Sequence, residues 1–188
     1  MPEERPGPRL ATRNGAAFLI VDFQERFRPV IPNWGEILEN LIRIARAAQV
    51  LRAPLIVTEQ YPQGLGRTVP ELEEHLEGAV RLEKVAFGCF REPKFVGKLK
   101  GLGVETLLIT GIEAHVCVAQ TALQALDEGY RTHLLADAVG SRNGEHVKIA
   151  MDRLRGAGAV ISCTEMALFE LLERAGTPEF KAIQRLVK

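Results

Sequence analysis

Continuous apolar runs alternate along this chain with segments in which apolar residues recur every three or four positions. The runs at 16–21, 54–58 and 107–111 lack the polar–apolar alternation of a half-exposed strand. They are typical of strands that are covered on both faces, as in a parallel sheet. The spacing of three and four, clear at 35–52 and 114–128, indicates helices. The pattern therefore predicts an α/β protein.

The full pattern predicts six strands separated by helices. Strands are expected at 16–21, 54–58, 79–83, 104–110, 131–136 and 159–162. Helices are expected at 35–52, 70–75, 95–102, 114–128, 165–175 and 178–187, and a further helix follows 141–144 and runs to about 155. The segments 23–29, 59–66 and 87–90 are expected to be loops. Such alternation implies right-handed crossovers and a three-layer α/β/α domain around one parallel sheet.

One domain accounts for the length of the chain. Its 188 residues suit a single domain of ordinary size, and no linker or internal repeat divides them. The first fifteen residues carry prolines and arginines without an apolar cluster, which predicts a flexible N-terminal arm rather than a signal peptide. The folded domain is expected at 16–188.

Composition and charge narrow the class of protein. The 24 Lys and Arg residues balance the 24 Asp and Glu residues, so no nucleic-acid or membrane partner is expected. No apolar run approaches the roughly 18 residues of a membrane-spanning helix. The three cysteines do not form a disulfide framework, which favours a reduced, cytoplasmic setting. The usual dinucleotide and P-loop signatures are missing.

Three reactive side chains follow three different predicted strands. Asp22 comes directly after the first strand, Lys84 after the third, and Cys117 within one helical turn of the fourth. Ligands of open α/β sheets bind outside the carboxyl ends of the strands, so these side chains are expected to meet. An acid can remove the proton of a thiol, and a lysine can hold that acid ionised. The alternatives are a small buried cysteine, a turn-forming aspartate and a solvated lysine.

The position of Cys117 bears on its charge. In the first turn of a helix, unpaired N–H groups and the helix dipole favour a thiolate. Histidine is the more familiar base for a cysteine, and only His115 is near in sequence. Residues two positions apart on a helix do not face each other, so His115 is not expected to be the base. Asp22 is the candidate base instead.

Three segments carry a resemblance to a known family. They are Val21-Asp22-Phe23-Gln24, Lys84 with Phe87 behind it, and Gly111-Ile112-Glu113-Ala114-His115-Val116-Cys117-Val118. Together they resemble the signature segments of the isochorismatase-like cysteine hydrolase superfamily, over about residues 16–187. The stretches 58–62 and 64–66 and the ending Phe180-Lys181 resemble the uncharacterised isochorismatase-domain-containing branch.

The resemblance implies the isochorismatase-like hydrolase fold, with the Rossmann-like strand order 3-2-1-4-5-6. It implies Cys117 as the nucleophile, Asp22 as the general base and Lys84 as the residue that tunes both. The backbone N–H groups of Glu113 and Cys117 would form the oxyanion hole, and the peptide bond between Ile112 and Glu113 would be cis. Members are often dimers or larger, so a homo-oligomer is expected.

Departures from the family pattern bear on cofactors and substrates. Nicotinamidases bind a metal through an Asp-x-His pair and a further histidine after the second strand. This chain has Glu59 there and no histidine before His75, so no metal and no other cofactor are expected. True isochorismatases lack a cysteine at position 117, which counts against vinyl-ether hydrolysis. Gly88 stands where relatives often have serine, and no consequence is assigned to it.

The sequence therefore predicts an enzyme, an amidase-like cysteine hydrolase that cleaves a small-molecule amide or related C–N bond through a thioester on Cys117. One alternative is isochorismatase-type or ester hydrolysis at the same site. Another is a non-catalytic α/β binding or scaffold subunit with a relic site. The physiological substrate is not specified. The candidate lining of the substrate pocket is Phe23, Phe27, Gln60, Tyr61, Phe87 and His115.

Overall fold

A computed structural model describes residues 10–188 as a six-stranded parallel sheet between two layers of helices. In chain order the strands are β1 (Ala16–Val21), β2 (Leu55–Gln60), β3 (Val80–Lys84), β4 (Thr106–Ile112), β5 (Arg131–Gly140) and β6 (Val160–Ser162). They lie in the order β3-β2-β1-β4-β5-β6, and each neighbouring pair is parallel. The predicted fold class and strand order are confirmed.

Among residues 10–188, eight α-helices connect and flank the strands. They are α1 (Trp34–Leu51), α2 (Pro62–Leu65), α3 (Pro70–Glu73), α4 (Pro93–Gly101), α5 (Ala119–Asp127), α6 (Gly144–Ala157), α7 (Thr164–Leu172) and α8 (Pro178–Val187). Short 3-10 turns occur at Glu25–Phe27 and Cys89–Arg91. A π-helical turn at Ala114–Val118 runs directly into α5, so the helix predicted at 114–128 is continuous but begins with a wider turn.

The central strands β1, β2 and β4 are buried on both faces of the sheet. Phe18 and Ile20 of β1 pack in one apolar cluster with α1, α7 and α8. Leu19 and Val21 pack in the opposite cluster with α4, α5 and α6. Successive residues of a strand point to opposite faces, so a strand covered on both sides must be apolar throughout. This explains why the predicted strands show no alternation.

Four strands, β2, β3, β4 and β5, continue beyond their predicted ends. β2 includes Glu59 and Gln60, because both pair with the last two residues of β3. The loop predicted at 59–66 is therefore wrong, since it begins in β2 and continues into the short helix α2. Lys84 is the last residue of β3 rather than the first residue after it. β5 reaches Gly140 through an irregularity in its pairing with β4.

Gly111 brings β4 close to β1 at the carboxyl edge of the sheet. Its φ is +104°, a backbone conformation that L side chains rarely adopt. Gly111 pairs with Val21, and a Cβ atom at position 111 would overlap the Val21 backbone. Val21 precedes Asp22, and Gly111 opens the segment that leads to Cys117. This close approach therefore sets the spacing between two of the candidate catalytic residues.

The predicted N-terminal arm lies mostly outside the described residues, which begin at position 10. Within the described part, Ala11 is buried, and its backbone N–H donates to Oε2 of Glu170 at 2.8 Å. The domain boundary at residue 15 stays a prediction. No helix in residues 10–188 is long and apolar enough to cross a membrane.

Candidate active site

Asp22 follows β1 directly, and its side chain is fully buried. Its backbone N–H donates to the carbonyl oxygen of Thr58 on β2 at 3.1 Å. Its φ of +52° is uncommon for a residue other than glycine, and such strained positions cluster at functional sites. The side chain is held as well, because Oγ1 of Thr58 donates to Oδ1 of Asp22 at 2.7 Å. The carboxyl group thus has one defined orientation at the edge of the sheet.

Lys84 meets Asp22 from the end of β3. Its Nζ lies 2.7 Å from Oδ2 of Asp22, and the two side chains are 2% and 0% exposed. The ammonium donates to Oε1 of Gln60 at 2.6 Å and to the carbonyl oxygens of Ala86 at 3.2 Å and Phe87 at 3.0 Å. These three acceptors use the three ammonium protons. Within residues 10–188, no well-aligned hydrogen bond reaches Oδ2, although Nζ of Lys84 lies at hydrogen-bonding distance from it.

The charges of this pair depend on each other. Burial raises the pKa of Asp22, while the positive charge of Lys84 and the hydrogen bond from Thr58 oppose that rise. Burial lowers the pKa of Lys84, but the negative charge of Asp22 outweighs it, so the pKa of Lys84 is raised overall. Lys84 is therefore an ammonium at neutral pH. A buried charge of this kind is tolerated because its partner is present.

Cys117 lies in the π-helical turn between β4 and α5 and is only 6% exposed. Its thiol lies close enough to the Asp22 carboxyl group for each to shift the pKa of the other. Burial raises the pKa of Cys117 most strongly, the negative charge of Asp22 raises that pKa further, and Lys84 lowers it. The side chain is therefore a neutral thiol. The expectation of a thiolate favoured by the helix start is wrong here, because burial and the adjacent acid outweigh the helix end.

The backbone between β4 and α5 forms a wider turn than an ordinary α-helical start. The carbonyl oxygen of Glu113 accepts from the N–H groups of Val116 at 3.0 Å and Val118 at 3.3 Å. The peptide bond between Ile112 and Glu113 is cis. The oxyanion hole formed by the N–H groups of Glu113 and Cys117 stays a prediction.

Two residues of β2, Thr58 and Gln60, contact the candidate catalytic residues, and the sequence pattern did not indicate either contact. Thr58 donates to Asp22, and Gln60 accepts from Lys84. Their side chains lie on the same face because alternate residues of a strand point the same way. Two polar residues at alternate positions at the end of an apolar run were the available signal. It was missed because the predicted strand stopped at Thr58.

Two of the six predicted pocket residues belong to the core region. Phe23 is fully buried, and its ring stacks on Trp34 with the centroids 3.9 Å apart. Its assignment to the pocket wall is wrong, because the strained turn at Asp22 directs Phe23 into the apolar cluster. Phe27 packs against the same cluster and is partly buried. A third residue, Gln60, is buried as the support of Lys84 rather than as an open wall.

The other three predicted pocket residues lie around the site. Tyr61 is 54% exposed and Phe87 is 55% exposed. The N–H of Tyr61 donates to the carbonyl oxygen of Lys84 at 2.9 Å, and the carbonyl oxygen of Phe87 accepts from Nζ of Lys84 at 3.0 Å. His115 has other partners: its Nδ1 lies 3.0 Å from Oγ of Ser141, and its ring centroid lies 4.5 Å from that of His146. Burial lowers the pKa of His115. This geometry agrees with the expectation that His115 is not the base for the cysteine.

Glu59 has structural partners of its own. Its Oε1 accepts from the N–H of Thr68 at 2.7 Å and from the Thr68 hydroxyl at 2.9 Å, and its Oε2 accepts from Arg67 at 2.7 Å. Burial raises the pKa of Glu59, but these hydrogen bonds and the Arg67 charge outweigh it and lower the pKa overall. In the part of the chain that the structure describes, no three His, Cys, Asp or Glu side chains are arranged to hold a metal ion.

Gly88 lies against helix α5. A Cβ atom at this position would overlap the side-chain amide of Gln124. That amide accepts from the backbone N–H of Phe90 at 3.3 Å, which fixes the loop after Lys84. A serine at position 88 would therefore require Gln124 to move.

These features define an α/β protein with a buried acid–lysine pair beside a cysteine at the carboxyl edge of a parallel sheet. The family profile for the isochorismatase domain matches residues 16–166, and the chain belongs to the isochorismatase family. Isochorismatase domain-containing protein 2 of Danio rerio is 40% identical over 180 residues, which cover 95% of this chain and 89% of that protein. The family to which the three sequence segments pointed is confirmed.

Solved structures agree with the assignment of the fold. The structure of MAR1 ribonuclease from Caenorhabditis elegans has a TM-score of 0.90 and 36% identity, covering 95% of this chain and 92% of that chain. The YcaC gene product of Escherichia coli, described as an octameric hydrolase of unknown specificity, has a TM-score of 0.87 and 25% identity. It covers 96% of this chain and 92% of its own. The fold is that of the isochorismatase-like hydrolases.

Proposed function

We propose that this protein is a cysteine hydrolase that cleaves a small amide or related C–N bond through a thioester on Cys117. The observation that carries the proposal is the thiol of Cys117 beside the fully buried Asp22, which Lys84 neutralises at 2.7 Å. A buried thiol is a weak nucleophile until a base removes its proton, and an adjacent carboxylate can do so. The family supports a hydrolase, and the residues at the sheet edge suggest the reaction.

In the first step, Asp22 takes the thiol proton while Sγ of Cys117 attacks the carbonyl carbon of the substrate. The C–S bond forms, and the carbonyl electron pair moves onto oxygen. The N–H groups of Cys117 and Glu113 would donate to that oxygen, and such donors each lower a barrier by about 3 kcal/mol. The ammonium of Lys84 compensates the negative charge that remains in the buried site.

In the second step, the carbonyl forms again and the C–N bond breaks. The leaving nitrogen takes the proton that Asp22 holds, so the amine departs neutral. A water molecule then attacks the thioester while Asp22 takes one of its protons. The C–S bond breaks, the acid leaves, and the proton on Asp22 returns to Sγ of Cys117. The sum of the steps is amide plus water giving acid plus amine.

Rival reactions differ in their need for the thiol. Ester hydrolysis would follow the same steps with an alcohol as the leaving group. Isochorismatase-type cleavage of a vinyl ether would not require Cys117. The name of the Caenorhabditis elegans relative suggests RNA hydrolysis, which the balanced charge of this chain does not favour. A scaffold with a relic site would catalyse none of these reactions.

A substrate panel with two cysteine variants separates these functions. The panel contains primary amides, N-carbamoyl compounds, esters, a vinyl ether and an RNA oligonucleotide. We expect wild type to hydrolyse a C–N substrate and Cys117→Ala to lose roughly 10³-fold or more of that activity. Cys163→Ala is the matched control, because Cys163 is a partly exposed residue at the start of α7. Turnover that survives in Cys117→Ala would contradict the proposal.

The assembly state is part of the proposal. The Escherichia coli relative is described as an octamer, which supports the prediction that this chain forms dimers or larger homo-oligomers. Sedimentation velocity across a range of concentrations measures this directly. A monomer at micromolar concentration would contradict it.

A further inference from the structure

Strand β2 contributes no reacting atom to the proposed reaction, yet it contacts both members of the buried ion pair. Thr58 donates to Oδ1 of Asp22 at 2.7 Å, and Gln60 accepts from Nζ of Lys84 at 2.6 Å. Both side chains are almost fully buried. Burial of a polar side chain destabilises the fold unless the side chain has a hydrogen-bond partner. The contacts of Thr58 and Gln60 with the ion pair supply those partners.

Thr58 determines which oxygen of Asp22 is free. Its hydroxyl occupies Oδ1, while Oδ2 receives no hydrogen bond of full geometry within residues 10–188. The backbone of Thr58 acts in the same sense, because its carbonyl accepts the Asp22 N–H at 3.1 Å and stabilises the strained φ of +52°. The oxygen that keeps its lone pairs for a proton is therefore Oδ2. Thr58 holds Asp22 by both its backbone and its side chain.

Gln60 determines where the protons of Lys84 point. Its Oε1 takes one proton of the ammonium, and the carbonyl oxygens of Ala86 and Phe87 take the others. The amide itself is fixed, because its Nε2 donates to the carbonyl oxygen of Val85 at 2.6 Å. Lys84 is thus close enough to Asp22 to compensate its charge, while its well-aligned protons point at the other three acceptors. A neutral amide does this without cancelling the charge of the lysine.

We propose that Thr58 and Gln60 are positioning residues that keep Oδ2 of Asp22 free as the proton acceptor for Cys117. Thr58 fixes the carboxyl group, and Gln60 keeps the protons of Lys84 away from that oxygen. The inference rests on the proposed function of Asp22 and Cys117 and adds the two residues that orient the base and its neighbouring lysine.

The two residues are predicted to act in opposite directions on Asp22. Without the Thr58 hydroxyl, the carboxylate loses a donor, so its pKa rises. Without the Gln60 amide, the freed proton of Lys84 turns to Oδ2, which stabilises the carboxylate and lowers its pKa. A role confined to stability would move neither value. Glu59 lies between them on β2, but it binds Thr68 and Arg67 instead, so Glu59→Gln is a matched control.

The experiment is the pH dependence of Cys117 alkylation by iodoacetamide, resolved by mass spectrometry of the peptides. The alkylation rate should first rise when the Asp22–Cys117 pair loses one proton, and this low-pH step reports Asp22. We expect Thr58→Val to move the step to higher pH by about one unit, the effect of one charge-assisted hydrogen bond. Gln60→Met should move it to lower pH. Thr58→Ser, which keeps the hydroxyl, and Glu59→Gln should follow the wild-type curve.

Low-pH steps of Thr58→Val and Gln60→Met that coincide with wild type would overturn the inference. Should valine not be accommodated, Thr58→Ala removes the same hydroxyl and carries the same expectation. Failure of the underlying function is distinguishable, because it appears as turnover that survives in Cys117→Ala. If turnover requires Cys117 while both positioning variants titrate like wild type, only the inference about Thr58 and Gln60 is wrong.

Discussion

Nζ of Lys84 and Oδ2 of Asp22 lie 2.7 Å apart in a setting from which solvent is almost excluded. Two such charges compensate each other, and removal of either one leaves the other without a partner in a poorly solvated place. The chain tolerates this cost at the carboxyl edge of its sheet, beside the thiol of Cys117. Stability and the proposed chemistry therefore depend on the same contact.

Loss of Lys84 should destabilise the protein in a pH-dependent way. In Lys84→Met, Asp22 is buried without its cation, so its folded-state pKa rises further above the unfolded value. An acid with a raised pKa destabilises the folded state above its unfolded pKa, and the deficit shrinks as pH falls. We expect a loss of about 3–5 kcal/mol near pH 7 that becomes small near pH 4.

Urea unfolding of wild type and Lys84→Met at a series of pH values measures this deficit. The double variant Asp22→Asn, Lys84→Met provides the control, because it removes both charges. It should be more stable at pH 7 than Lys84→Met alone. A deficit that is independent of pH would show that Lys84 stabilises the fold by packing and not by its charge.

Replacement of Asp22 by asparagine tests the base. The two side chains are nearly the same size, and the amide oxygen can still accept from Thr58, so the fold should be kept, at a lower stability because Lys84 loses its anion. An amide cannot take the thiol proton or return it to the leaving amine. We expect turnover of a substrate found with the amide panel to fall by about 10²–10⁴-fold. Turnover close to wild type in Asp22→Asn, with an unchanged circular dichroism spectrum, would remove Asp22 from the mechanism.

Gly111 should tolerate no side chain. A Cβ atom would overlap the Val21 backbone, and the φ of +104° is strained for alanine. We expect Gly111→Ala to cost more than about 3 kcal/mol or to prevent folding. Gly97, inside α4 with open space around its Cα, is the matched control. Gly97→Ala should stabilise by up to about 1 kcal/mol. Equal thermal midpoints for the two variants would contradict this account of the β1–β4 contact.

Much of this architecture can be predicted from the sequence, because a strand that is buried on both faces of a sheet is a continuous apolar run. Residues 16–21 and 107–109 include no polar residue, and the helices keep their spacing of three and four. The rule that parallel strands meet at their carboxyl ends then brings Asp22, Lys84 and Cys117 to one edge. Each of these steps depends on neighbours in the chain or on a general rule of topology.

The features that were missed depend on long-range contacts. β2 extends to Gln60 because its last residues pair with β3, which no local pattern shows. Phe23 does not line the predicted pocket, because its ring stacks on Trp34. The thiol of Cys117 is neutral because burial and an adjacent acid outweigh the helix end. Pairing, packing and desolvation are tertiary effects, so residue type and spacing could not reveal them.

The central claim is that Cys117, Asp22 and Lys84 titrate as one unit, and the pH dependence of Cys117 alkylation tests it most directly. We expect two steps in wild type, the first as Asp22 ionises and the second, at high pH, as the thiol finally loses its proton. Lys84→Met should move both steps to higher pH, because the positive charge lowers the pKa of Cys117 and of Asp22. Asp22→Asn should show a single step, below the second step of wild type, because the Asp22 charge raises the pKa of Cys117.

The peptide that carries Cys163, quantified in the same digests, is the internal reference for peptide recovery, because Cys163 is partly exposed. Cys89 is fully buried, and burial raises its pKa to about 12. The predicted result is a Cys117 curve that moves in the stated direction in each variant. Superimposable Cys117 curves for wild type, Lys84→Met and Asp22→Asn would contradict the coupled site.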